Sequence, residues 1–135
     1  MTALELPAPN APAEEWGRLA VSLPGWRWMP QMLDVSGLIL LGEVDERTRK
    51  VQCWDMHDPA SLGTYSSWLM LPDPDDPATA GCLLSMLGRG WCWRNDCDPD
   101  EWYLEGCNAS IWQKTLGRAC IAAAAKDGRW PGGEA

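Results

Sequence analysis

The sequence predicts an α+β domain, an antiparallel sheet of about five strands packed with about three helices in the order α-β-β-β-α-β-β-α. Three observations carry this expectation. Leu116, Ala119, Cys120, Ala123 and Ala124 fall at i, i+3, i+4, i+7 and i+8, one stripe of an amphipathic helix. Asp76-Pro77 is a strong helix start, an acidic cap followed by proline at the first helical position. Between the helical stretches stand short alternating or apolar runs bounded by glycine, proline and aspartate, the pattern of strands and turns.

In chain order, residues 1–11 are rich in proline and alanine and read as a flexible tail, with a single domain over 12–135. The first helix begins at Pro12, with Glu14 and Glu15 in its first turn, where the helix dipole favours negative charge. Its apolar face is Trp16, Leu19, Ala20 and Leu23, and Pro24-Gly25 ends it. Residues 26–30 (Trp-Arg-Trp-Met-Pro) alternate like an edge strand, with Trp26 and Trp28 on one face. Residues 38–44 form the best strand, and a polar connection leads to a third strand at 51–54. Residues 55–76 carry mostly loop signals, with 68–71 as a short strand candidate. The second helix runs to about Leu87 and buries Cys82, Leu83, Met86 and Leu87. Residues 91–93 and 102–107 make a hairpin, after which the chain enters the last helix. Thr115 caps that helix, Gly128 suits its end and Pro131 stops it. Its face is small, so it can approach a neighbouring layer closely, and Arg118, Lys126 and Arg129 fall off the stripe or past its end.

Acidic residues outnumber basic ones 19 to 11, a formal charge of −8. Direct nucleic-acid binding would show as a basic patch, since Lys and Arg supply most of the affinity for phosphate. The nearest cluster, Arg47-Thr-Arg49-Lys50, reads better as a solvated hairpin tip. The charge instead favours basic partners, including basic nucleic-acid-binding enzymes. No run of about 18 apolar residues marks a membrane span. The N-terminal residues lack the basic and apolar regions of a signal peptide, so a cytoplasmic compartment is expected.

The compositional outlier is tryptophan, ten residues with no phenylalanine. Most of the indoles are expected to fill the core in place of phenylalanine. Burying all ten in one small domain is hard, however, so one or two should be exposed as interface anchors. The six cysteines are read mostly as reduced core residues. Cys92, Cys97 and Cys107, with Cys53 or His57, form no paired knuckles of the kind structural zinc needs. Asp96, Asp98 and Asp100 open like a calcium loop, but Glu101 stands where glycine is required and Cys107 where the bidentate glutamate belongs. No metal or cofactor is expected. His57 has no recognisable nucleophile motif to serve, and no phosphate-binding glycine loop exists, so no catalytic residue is assigned. The candidate partner-binding residues are Asp96, Asp98, Asp100, Glu101, Trp102 and Trp68.

The stretch from Thr115 to Ala125, with residues 23–30 and 76–84, resembles small uncharacterised proteins of tailed phages and prophages, one group being the phage ABA sandwich domain. The resemblance implies a sheet sandwiched by helices and a phage origin, with no catalytic residues to carry over. The expected function is that of a non-catalytic phage accessory protein binding a host or phage macromolecule. Its sharper form is an inhibitor of a host defence nuclease complex, occupying a basic groove. The alternative is a small enzyme or ligand-binding protein with a tryptophan-lined pocket.

Overall fold

The computed structural model describes residues 6–58, 60, 62–88, 91–94, 102–105 and 110–131. The chain order is α1 (Ala13–Ser22), β1 (Leu38–Leu40), β2 (Lys50–Asp55), β3 (Leu62–Ser66), a 3-10 turn (Ser67–Leu69), α2 (Pro77–Leu87), β4 (Cys92–Arg94), β5 (Trp102–Glu105), β6 (Ser110–Gln113) and α3 (Leu116–Asp127). The α+β class holds, but the expectation of one sheet of five strands does not. Among the described residues, six strands form two antiparallel three-stranded sheets, β1-β2-β3 and β4-β5-β6.

Three local differences produce that change. Residues 26–30 are not a strand, because the chain turns into a left-handed conformation at Gln31 (φ 79°). The next residues meet β1 instead, Gln31 N–H donating to Leu40 O at 2.8 Å and Leu40 N–H to Met32 O at 3.0 Å. The alternation of Trp26 and Trp28 serves ring packing, with centroids 5.3 Å apart and planes at 84°. β3 lies in the stretch read as loop. Its Leu-Gly-Thr-Tyr-Ser sequence has no apolar alternation, yet Tyr65 pairs with Val51 on the inner face and lays its ring over Gly63. The strand candidate at 68–71 is instead the 3-10 turn, closed by Met70 N–H on Ser67 O. β6 falls in the stretch expected to lead into α3; Ile111 turns inward from it while Trp112 stays exposed, too short a pattern to register.

Helices α2 and α3 follow their signals closely. Asp76 Oδ2 accepts the Thr79 N–H at 2.9 Å, with Pro77 in the first turn. Thr115 Oγ1 accepts the Arg118 N–H at 3.2 Å, and Gly128 closes α3 in the left-handed conformation. The stripe expectation for α3 was too narrow. Every residue from Gly117 to Ala124 is buried, because α1, α2, β5 and β6 all pack on this helix. Burial all round is what a central helix shows, rather than a surface one.

Arg118 is therefore a correction. It is only 8% exposed and sits inside the packing rather than off the buried face. Its Nε and Nη2 donate to the two carboxylate oxygens of Asp75, both at 2.9 Å. Its Nη1 donates to Pro9 O at 2.8 Å and Ala11 O at 2.7 Å. One side chain thus ties α3 to the segment before α2 and to the residues before α1. The chain from Leu71 to Asp75 is a strap pressed between elements. A Cβ on Gly117 would lie 1.8 Å from Pro74 O, and one on Gly17 would lie 2.5 Å from Pro72 O. On the other side, buried Asp34 holds the strap's start: Oδ1 accepts the Ser36 N–H at 2.8 Å, and Oδ2 accepts the Leu71 N–H at 3.4 Å.

Two outcomes follow. Gly117→Ala forces helix and strap apart and should cost about 3 kcal/mol in urea unfolding, the upper range for overpacking. The Asp75 carboxyl is pushed up by burial, but the Arg118 guanidinium and the Thr115 hydroxyl outweigh that and leave it below the ordinary carboxylate value. A depressed native pKa stabilises the fold above the unfolded value and loses that contribution as pH falls through the native one. Asp75→Asn should therefore lower the melting temperature at pH 7. The gap to the wild type should narrow as pH drops below about 4, the ordinary carboxylate range.

Candidate functional site

The hairpin between β1 and β2 ends in a polar tip. Asp45 Oδ1 accepts the Arg47 N–H at 2.8 Å, and Arg49 N–H donates to Asp45 O at 2.7 Å. These bonds hold Arg49 in the left-handed region at φ 60°. Its guanidinium lies 5.4 Å above the centre of the Trp68 ring, within cation–π range. Ser67 N–H donates to Arg49 O at 2.8 Å, so the 3-10 turn and the hairpin tip are joined through the backbone as well.

Between this hairpin and residues 26–30 lies a cleft of about 420 Å³. Its aromatic wall is Trp26 and Trp28, and its charged rim combines Arg27 and Arg49 with Glu43 and Glu46. Among the described residues, Arg27, Glu43 and Glu46 take part in no ion pair, so their charges face solvent. Trp26 is wedged against Trp28 and against Trp130, whose ring centre is 5.9 Å away. The buried Trp26 N–H has no hydrogen-bond partner among the described residues. Beside the cleft the 3-10 turn presents Trp68, 74% exposed, and Leu69, 87% exposed. The site can stack planar or cationic groups on indole faces and pair with charges of either sign. Among the described residues, its lining carries one hydroxyl, on Ser67, and no histidine or cysteine.

Of the six residues chosen from the sequence, Asp96, Asp98, Asp100 and Glu101 lie outside the described residues. Trp68 and Trp102 belong to different parts of the fold. Trp68 stands at the end of the first sheet, whereas Trp102 is on β5, its ring 5.3 Å from that of Trp93. The second sheet shows its own outward aromatic pair, Tyr103 and Trp112, with centroids 4.4 Å apart. The structure adds Arg49 and Glu46, which the sequence places in the solvated polar connection, and Glu43, which it places within the strand at 38–44. The only sequence signal for them was their position between two tryptophan-bearing stretches.

Other groups lie elsewhere. Cys53 and Cys120 are buried free thiols. Burial, with a smaller contribution from Asp34, pushes the Cys53 thiol up to about 11, and burial pushes that of Cys120 to about 12. Both are protonated at neutral pH and act as small hydrophobes. Cys82 is half-buried rather than buried as expected, and Cys92 is exposed. Cys97 and Cys107 lie outside the described residues; among those described, no three metal-ligating side chains converge. No helix among the described residues is long and apolar enough to cross a membrane. Compared with the known protein families, the curated proteins and the solved structures, the chain matches none.

The contrast between the indoles can be measured. Trp130 is fully buried, its Nε1 donating to Ala20 O at 3.0 Å. Trp130→Ala should cost about 3–5 kcal/mol in chemical denaturation. Trp68→Ala should change stability by less than about 0.5 kcal/mol, as expected for an exposed side chain.

Proposed function

We propose that this chain is a non-catalytic phage or prophage accessory protein that binds a macromolecular partner through the aromatic cleft and the turn beside it. The observation that carries this reading is the exposure of Trp68 and Leu69 on a backbone held by the Arg49–Ser67 hydrogen bond. Large apolar side chains on a rigid support, next to unpaired charges, are what interface anchors look like. A monomer gains nothing in stability from holding an indole and an isobutyl group in water. The phage assignment rests on the sequence resemblance. The charge of −8 favours a basic partner, and a basic nucleic-acid-binding host enzyme is the sharper form of the reading.

The test is capture from lysate of a phage-bearing host with immobilised full chain, compared with a Trp68→Ala/Leu69→Ala variant. A partner held by these anchors should be lost from the variant, its affinity falling by about tenfold or more in direct titration. A basic partner should also bind more weakly as salt rises. A partner retained equally by both proteins would place the interface elsewhere.

The cleft itself favours a second reading, a small-ligand binder or small enzyme. Its volume falls within the range of about 300–1,000 Å³ seen for ligand sites. A compound that raises the melting temperature of the wild type but not of Trp28→Ala would support it.

A further inference from the structure

We propose that β3 is a self-association edge, along which two copies of the chain pair antiparallel about Thr64 to make one six-stranded sheet. The alternation of the ladder shows which backbone groups are free. Ser67 N–H donates to Arg49 O, which makes 51 with 65 and 53 with 63 the hydrogen-bonded pairs. Leu41 N–H donates to Gln52 O, so Gln52 and Trp54 face β1 and the assignment is consistent across β2. The N–H and C=O groups of Leu62, Thr64 and Ser66 therefore point away from the sheet. Among the described residues they meet no backbone partner.

Natural sheets protect such an edge with charge, proline or a bulge. β3 reads Leu-Gly-Thr-Tyr-Ser, with neither charge nor proline, and pairs with β2 residue for residue from Leu62 to Ser66. Leu62 is 58% exposed on it.

Two features select a second copy as the occupant. A two-fold axis at Thr64 sets Thr64 opposite Thr64 and Leu62 opposite Ser66. These are the residues with outward backbone groups, so all of them are satisfied together, by about six hydrogen bonds. The strand's surroundings are also electrically polar. Near its Leu62 end stand Asp55 and Asp58; near its Ser66 end stand Lys50, the register partner of Ser66, and Arg49. Antiparallel pairing sets the acidic end of one copy against the basic end of the other, so the local charges attract although each chain carries −8. Parallel pairing would oppose like charges. The inward Tyr65 of each copy falls opposite Gly63 of the other, the side-chain relation it already has within its own strand. Such a dimer places one cleft at each end of the joined sheet and makes the protein bivalent.

Sedimentation of the full chain under reducing conditions tests this. At about 100 μM the wild type should show twice the 14.9 kDa chain mass. Thr64→Lys puts two lysines face to face on the axis and should return the mass to that of one chain. So should Thr64→Pro, which removes the outward N–H at the axis while leaving the β2 ladder intact. Mixing Thr64→Lys with Thr64→Asp should restore the dimer. Amide exchange read by NMR on the wild type provides a readout that needs no variant. Protection of the Leu62, Thr64 and Ser66 amides should rise with concentration, while Gly63 and Tyr65 stay protected throughout. A wild type that remains at the mass of one chain overturns the proposal. So does a dimer indifferent to both substitutions at Thr64, or exchange at the three outward amides that does not change with concentration.

Discussion

Helix α3 lies against the strap before α2 with no side chain between them, and the rest of the structure depends on that contact. A methyl group on Gly117 would sit 1.8 Å from Pro74 O, closer than any two unbonded heavy atoms can stand. The close approach delivers the next residue, Arg118, to Asp75 and to the carbonyls of Pro9 and Ala11. A guanidinium is costly to bury unless its donors are met, and here four hydrogen bonds meet four of its five N–H groups. The Thr115 hydroxyl joins the same cluster, capping α3 while donating to Asp75. One junction thus fixes the helix start, the strap and the N-terminal segment.

Around that junction α3 is enclosed by small and medium side chains. α1 and α2 pack on it, and so do β5 and β6 of the second sheet, through buried Leu104 and Ile111. The first sheet contributes Leu40, Val51 and Cys53 to the same core while keeping its hairpin and the edge of β3 toward solvent. The charged and aromatic cleft stands on this sheet, at a distance in sequence from the helix that organises the packing. Substitutions at the hairpin tip therefore act on surface chemistry, and substitutions at residues 117–124 act on folding.

The indoles divide along the same line. Trp16 and Trp130 are fully buried and donate to the carbonyls of Ala8 and Ala20, as a buried indole N–H requires. Trp26 and Trp28 are half-buried between the core and the cleft. Among the described residues, Trp68 and Trp112 are largely in water and Trp93 is half-exposed, more than the one or two exposed indoles the composition suggested. A chain that uses tryptophan throughout has no separate vocabulary for core and surface, so period-2 spacing such as that of 91 and 93 does not say which is which.

By itself the sequence determined the start of α2 and both ends of α3 to the residue, because Asp76, Pro77, Thr115 and Gly128 act on backbone groups within one turn of themselves. It also determined the α+β class. Only the tertiary structure decided that the strands split into two sheets, that β3 and β6 exist, and that Arg118 is buried. The same holds for the cleft, where Arg49, Glu43 and Trp28 converge. The reason is range: a cap is a contact between near neighbours in the chain, whereas strand pairing, the burial of a charge and a cleft are set by segments tens of residues apart. Nothing in the local pattern of either segment records where the other will be.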